Sequence, residues 1–412
     1  MSGHVISHRS FAARAGAVVA LMAFSLAPSA AVGVSGGLSG RLSGRLSEDP
    51  SRDSDSGAMH HSEWALNALQ AKKAWKISKG AGVTVAVIGT GVDAAHPDLR
   101  GRVLAGKDFG DGPSGTGTRD EGLANEQATH AAGIIVGTGR NYRGNGLLGL
   151  APKARVLPLG VYEGEKPLAD ATAKAIRHAV SRGAGVIDVA VSFKKPTAAL
   201  RSAVGYAVAQ NAVVVAGAGD NGKDGNRPTY PAAYPGVVSV VATDKKGAVW
   251  TDSHHGGAVT LAAPGVSILT TAPNSDYWTG EGTAYAAPWV AAGAALVRSE
   301  HPHWTAGQVV QKLIDTADRK GSAGRDPRYG FGLIAPARAL ADRAAPPAST
   351  DPPGSARTPA KPDHQHSAAR SEEGSALVAI GAVAAALAVL AAIAVFLISR
   401  RKPPSDNSDT HH

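Results

Sequence analysis

The chain has 412 residues, no cysteine, 43% hydrophobic and 18% charged residues, and a formal net charge of +9 at pH 7. Without cysteine there is no disulfide framework, no thiolate chemistry and no Cys-ligated zinc. The 42 Lys and Arg are scattered, with no long basic run and no aromatic-basic interleaving, which argues against nucleic acid as a partner. The length exceeds one ordinary domain but fits a single large α/β domain with processing and anchoring segments.

Residues 1–31 carry Arg9 and Arg14, an apolar run over 15–26 and then Ser29-Ala30-Ala31. A basic start, a short apolar stretch and small residues at a cleavage point predict a secretory signal peptide. That run is shorter than the roughly 20 residues a bilayer requires. Residues 32–61 are rich in Gly, Ser and Arg, with L-S-G-R starting at Leu38 and again at Leu42, and read as a flexible N-terminal extension.

Residues 62–343 alternate Val-rich runs with helical spacing. Strands are predicted over 83–88, 155–161, 186–191, 213–216 and 237–242, each suited to burial on both faces. Helices are predicted over 168–182, 197–210, 129–136 and 283–301. This alternation predicts a mostly parallel sheet covered by helices on both faces.

Residues 344–374 form a Pro/Ala/Ser-rich linker, expected to be a semi-extended tether. Residues 375–399 hold an uninterrupted apolar core from Ala376 to Ile398, which at about 1.5 Å per residue reaches roughly 33 Å and predicts one transmembrane helix. Arg400, Arg401 and Lys402 follow at once, so the tail over 400–412 is expected to be cytoplasmic and the large domain extracytoplasmic. The expected location is the cell membrane, as a single-pass type I protein.

Three segments inside the large domain carry recognisable chemistry. They read V-A-V-I-G-T-G-V-D at 85–93, Q-A-T-H-A-A-G at 127–133 and G-T-A-Y-A-A-P at 282–288. These blocks resemble those of the subtilisin family (S8) of serine proteases, whose members carry a catalytic Asp, His and Ser in V-A-V-I-D-T-G-V-D, H-G-T-H-V-A-G and G-T-S-M-A-A-P. The resemblance implies a subtilisin-like three-layer α/β fold and places Gly89, Gln127 and Ala284 at the positions of Asp, His and Ser. A fourth block, G-A-G-D after the strand at 213–216, resembles A-A-G-N and places Asp220 where the family's oxyanion-hole Asn stands. The supporting blocks H-P-D-L at 96–99, L-A-P-K-A-R-V-L-P at 150–158, Y-P-A-A-Y-P-G-V at 230–237 and L-A-A-P-G at 261–265 follow in family order.

Peptide hydrolysis by the family route needs a hydroxyl nucleophile, an imidazole base and a carboxylate to orient it. Ala284, Gln127 and Gly89 supply none of these, and an ionised Asp220 opposes a developing oxyanion instead of donating to it. The expectation is a pseudoprotease, so whether the chain is an enzyme stays open. An active serine endopeptidase would have to rebuild its triad from Asp93, His96, His130, Ser253, His254, His255 and Thr283.

In the family the strand V-I-N-M-S-L-G-G lines the substrate cleft. Here V-I-D-V-A-V-S-F at 186–193 puts Asp188 in place of the Asn and Ser192 and Phe193 in place of the glycines. Ser192, Phe193 and Gly217 are the candidate cleft residues. Phe193 either reshapes the cleft or belongs to the core. A degenerate cleft also allows a peptide-binding module that captures extended chains without cutting them.

The signal peptide, protease-like domain and C-terminal apolar helix together resemble the mycosins, subtilisin-like proteins of type VII secretion systems. Trp64-Ala65-Leu66 and Tyr329-Gly330-Phe331-Gly332 also resemble that group. The resemblance implies partners among the proteins of a type VII secretion membrane complex and a structural or regulatory role there. A structural calcium ion is compatible with the family, but no acidic loop is specific enough to name ligands.

Overall fold

A computed structural model describes residues 63–110, 115–120, 127–163 and 166–347. The expected signal peptide, the flexible extension, the transmembrane helix, the tail and most of the linker lie outside the described residues. Among the described residues no helix is long and apolar enough to cross a membrane.

The described chain starts with two short helices, α1 (Trp64–Ala68) and α2 (Ala71–Ala74). Then come β1 (Thr84–Gly89), β2 (Lys107–Asp108), α3 (Gln127–Val136), β3 (Arg155–Gly160) and a small hairpin of β4 (Tyr162–Glu163) and β5 (Lys166–Pro167). Next are α4 (Ala169–Ser181), β6 (Val186–Val189), α5 (Ala198–Ala209), β7 (Val213–Gly217) and β8 (Val237–Thr243). The remainder is β9 (Leu261–Pro264), the β10 (Ile268–Ala272) and β11 (Asp276–Gly280) hairpin, and helices α6 (Thr283–Glu300), α7 (Ala306–Asp315) and α8 (Pro336–Ala341).

Seven strands form one sheet in the order β2-β3-β1-β6-β7-β8-β9, every pair parallel. The five Val-rich runs became β1, β3, β6, β7 and β8, because such runs can be buried on both sheet faces without exposing apolar surface. Strand β6 is shorter than its predicted run and ends at Val189, and α3 begins two residues before its predicted start.

Alternation along the strands divides the core. Val85, Val87, Val186, Val213 and Val215 face α3 and α6, whereas Ala86, Ile88, Ile187, Val189 and Val214 face α4 and α5. Helix α6 is buried nearly all round, which its Ala- and Gly-rich sequence permits; a Cβ at Gly293 would stand 2.7 Å from Ile334 Cδ1. The capping box Thr305–Gln308 starts α7, with the Thr305 hydroxyl accepting the Gln308 N–H at 3.1 Å and Gln308 Oε1 accepting the Thr305 N–H at 3.0 Å.

Lys312 of α7 is buried, with its ammonium 2.9 Å from Asp342 Oδ2 just beyond α8 and 5.5 Å from the Trp304 ring. The hydrogen bond from Lys312 holds the Asp342 carboxyl below its usual range. The stabilisation from Asp342 is therefore present above its unfolded pKa and is lost as pH falls through the lower folded value. Asp342→Asn is expected to lower the melting temperature by a few degrees at pH 7, because it leaves a buried cation without its counter-charge. The deficit should narrow as the melts are repeated at progressively lower pH, where Asp342 takes up its proton; a deficit independent of pH would refute the assignment.

Candidate active site

The C-terminal ends of β1 and β7 and the N-terminal ends of α3 and α6 converge on one rim of the sheet. Gly89 closes β1, its carbonyl accepting the Val161 N–H at 3.0 Å. A Cβ at Gly89 would stand 3.0 Å from Ala128 Cβ and 3.6 Å from Ala190 Cβ, so the first turn of α3 lies directly against the strand end. Gln127 is the first residue of that helix and is half-buried.

Three residues further along α3, the buried His130 ring meets Tyr285 of α6. Their ring centroids are 5.5 Å apart, and Tyr285 Oη lies 3.2 Å from His130 Nδ1. Trp278 of β11 also stacks with His130, at 6.2 Å between ring centroids. Burial pushes the His130 imidazole down to about 3, so it is neutral throughout the physiological range.

Half-buried Ala284 is the second residue of α6, between Tyr285 and Thr283. The start of this helix is closed by the chain itself. Asp220 Oδ1 accepts the Thr283 backbone N–H at 2.9 Å and the Thr283 hydroxyl at 2.7 Å. The same hydroxyl accepts the Gly219 N–H at 3.1 Å. A carboxylate at a helix N-terminus satisfies an orphan donor and suits the positive end of the helix dipole.

Space there is tight. A Cβ at Gly217 would stand 2.7 Å from Thr283 Oγ1, and one at Gly282, whose φ is +132°, would stand 2.7 Å from Asp220 Oδ2. Much of Asp220 still faces solvent, but Gly282 and Thr283 enclose the inner side of its carboxylate. Loss of water there, with the Asp252 charge added, holds its carboxyl above the usual range against the opposing pull of the two Thr283 bonds.

The four sequence-derived positions are thus brought to one rim through contacts of their immediate neighbours. Four of the candidates for a rebuilt triad are engaged elsewhere. Asp93 accepts the N–H groups of Ala95 at 3.0 Å and Asn274 at 2.9 Å. His96 Nδ1 accepts the Asp98 N–H at 3.1 Å, which leaves Nε2 to donate to the Asp276 carbonyl at 3.0 Å. Ser253 Oγ accepts the Ala242 N–H at 3.1 Å, and the Thr283 hydroxyl is committed to Asp220 and Gly219. Among the described residues neither of these two hydroxyls is hydrogen-bonded to an imidazole ring.

Of the cleft candidates, Ser192 is exposed and Gly217 lies against Thr283. Phe193 is half-buried and packs with Tyr230 against the core beneath α4 and α5. Its backbone exchanges two hydrogen bonds with Tyr230, at 2.8 and 2.9 Å.

Sequence reasoning marked Asp188 as a departure but not its environment. It lies opposite Val87 and Val215 on the α6 side of the sheet, is fully buried, and neither oxygen finds a hydrogen-bond partner among the described residues. Burial alone pushes its carboxyl up to about 8. The only sequence signal was an acid inside the apolar run V-I-D-V. No cluster of three or more His, Asp or Glu among the described residues is placed to hold a metal ion.

The sequence model of the subtilase family matches residues 80–332. Thermitase from Thermoactinomyces vulgaris is 36% identical over 263 residues, covering 64% of this chain and 90% of thermitase. Subtilisin E from Bacillus subtilis is 36% identical over 258 residues, covering 62% of this chain and 65% of that protein. Among solved structures, the MycP3 protease from the type VII (ESX-3) secretion system superposes with a TM-score of 0.59 at 30% identity, covering 67% of this chain and 87% of MycP3. Fervidolysin from Fervidobacterium pennivorans, a keratinolytic enzyme, superposes with a TM-score of 0.61 at 29% identity, covering 68% of this chain and 46% of fervidolysin.

Proposed function

The chain belongs to the subtilase family, and on that premise we propose that it is a catalytically inactive, membrane-anchored member that serves as a structural or regulatory component of a type VII secretion complex. In this reading Gly89, Gln127 and Ala284 stand where the family carries Asp, His and Ser, and Asp220 stands where it carries the oxyanion-hole Asn. The observation that carries the reading is the bond from Thr283 to Asp220. The helix terminus that would favour an attacking oxygen's charge is already occupied by an internal carboxylate, next to a residue with no nucleophilic atom.

The energetics agree. In subtilisin, loss of the serine or histidine alone lowers kcat roughly 10⁶-fold, and the residual catalysis rests on the oxyanion hole and binding. Here the oxyanion position carries a carboxylate, which removes a donor worth about 3 kcal/mol and puts an acceptor in its place. The secretion-complex role is supported by the likeness to MycP3, whose own system is type VII, and by the expected signal peptide and membrane helix.

Purified ectodomain is expected neither to react with a fluorophosphonate nor to cleave unfolded casein. Ala284→Ser alone should remain unreactive, because no base faces the new hydroxyl. Labelling of the natural chain at any residue would overturn the inactivity. The secretion role is tested separately: a tagged full chain from detergent-solubilised membranes should migrate on a native gel within a large assembly containing secretion-channel proteins. Migration as a lone species would refute that part while leaving the inactivity standing.

A further inference from the structure

Helices α4 and α5 pack side by side over the sheet face opposite α6, burying Ala175, Ile176 and Ala179 from one and Leu200, Ala203 and Val204 from the other. Their outer surface is strongly basic. Lys174, Arg177 and Arg182 on or just after α4, and Lys194, Lys195 and Arg201 before and on α5, are all exposed, whereas Asp170 is the one exposed carboxylate over residues 169–210.

The same face exposes Tyr206, one of two large hydrophobic side chains exposed among the described residues. The Arg177 guanidinium sits 4.9 Å from the centre of that ring and donates to Ser202 Oγ at 2.8 Å, so ring and guanidinium are held together on this face.

Gly205 adds an independent point. It lies in the interior of α5, and a Cβ there would meet nothing within 4 Å. The fold does not require glycine at that site, yet glycine costs a helix interior about 1 kcal/mol relative to alanine. What it provides is close access to the helix backbone beside Tyr206.

We propose that the α4–α5 face is a docking surface for an acidic helical segment of a partner protein. The charge excess calls for a carboxylate-rich ligand, and Arg177 offers a forked donor that a carboxylate can engage with two bonds. Gly205 lets the backbone of a partner helix approach, and Tyr206 supplies the aromatic anchor typical of such contacts. An anionic lipid surface fits less well, since stable interfacial binding needs an apolar wedge and one exposed ring does not make one. This surface lies on the opposite side of the sheet from α6 and stands whether or not the cleft is catalytic.

The test places a photoreactive benzoylphenylalanine at position 206 of the full chain in its native membrane, with the same group at Ile77, the other exposed large apolar position, as control. A discrete protein adduct is expected at 206 and absent at 77, with the crosslinked peptide mapping to a segment rich in Asp and Glu. Combined Lys174→Glu, Lys194→Glu and Lys195→Glu should reduce the adduct at least tenfold with the melting temperature unchanged, since all three are exposed and none makes a hydrogen bond or ion pair among the described residues. Gly205→Leu should abolish it by filling the approach while leaving the fold intact. A lipid adduct, no adduct above the control, or an adduct indifferent to both sets of substitutions would overturn the proposal.

Discussion

Asp188→Asn will stabilise the protein at pH 8 by several kcal/mol and leave it nearly unchanged at pH 4. The carboxyl is buried opposite Val87 and Val215 with neither oxygen hydrogen-bonded among the described residues, and burial raises its pKa to about 8. An unfolded chain releases that proton near pH 4, whereas the native state keeps it until about pH 8. The folded value lies above the unfolded one, so the stability linked to this proton is complete below about pH 4. It is then lost at roughly 1.4 kcal/mol per pH unit as pH rises through the window. By pH 8 the loss is on the order of 5 kcal/mol, comparable with the whole stability of many domains.

Asparagine keeps the shape of the carboxyl but carries no proton to release. The difference in melting temperature between variant and natural chain should therefore grow steadily from pH 4 to pH 8 and then level off. At about 2–4 °C per kcal/mol it should reach on the order of 10 °C. A pH-independent difference would mean that the native state gives Asp188 a partner or water.

Asp98→Ala is the largest expected loss, about 4 kcal/mol. Asp98 is fully buried in the turn after β1 and gathers three remote donors. Its Oδ1 accepts the Asn141 N–H at 2.8 Å, and its Oδ2 accepts the Leu147 N–H at 2.8 Å and the Tyr277 hydroxyl at 2.6 Å. It thereby joins the loop after α3 to the β10–β11 hairpin that carries Trp278. Burial, reinforced by the hydrogen bond to Asp98, raises the Tyr277 phenol well above its ordinary value and keeps it a donor.

Removing the carboxylate leaves three enclosed donors without an acceptor, each costing about 1–3 kcal/mol before relaxation. Tyr277→Phe removes one donor and leaves the carboxylate its two N–H bonds, so it should cost only about 1 kcal/mol. Hydrogen exchange should show the loss in Asp98→Ala concentrated at residues 139–148 and 268–280. Equal effects of the two substitutions, or protection unchanged in those segments, would remove Asp98 from this role.

The five Val-rich strands and four of the helices were legible because runs buried on both faces and helices packed on a sheet each leave a period that needs no knowledge of neighbours. The β10–β11 hairpin was not legible. Its strands, I-L-T-T-A and D-Y-W-T-G, are polar at positions where Thr270 and Thr271 spend their hydroxyls on the carbonyls of His130 and Thr129, at 2.6 and 2.7 Å. Helix α7 did carry a readable start in its capping box at Thr305 and Gln308, followed by an apolar run. Strand β9 is only four residues long and had no alternation to reveal it.

At the candidate site, the motifs alone singled out Gly89, Gln127, Asp220 and Ala284, because each sits inside a block of locally recognisable sequence. Composition and spacing likewise determined the parallel α/β architecture that the family match supports. Only the tertiary structure decided what those residues do. Asp220 reaches Thr283 across 63 positions, Phe193 packs against the core beneath α4 and α5, Asp188 faces α6 with no hydrogen-bond partner among the described residues, and cations spread along the sequence gather on α4 and α5. The division has one physical cause: burial periodicity and turn chemistry act between near neighbours and are written locally, whereas desolvation, hydrogen-bond satisfaction and charge density depend on groups that only folding brings together.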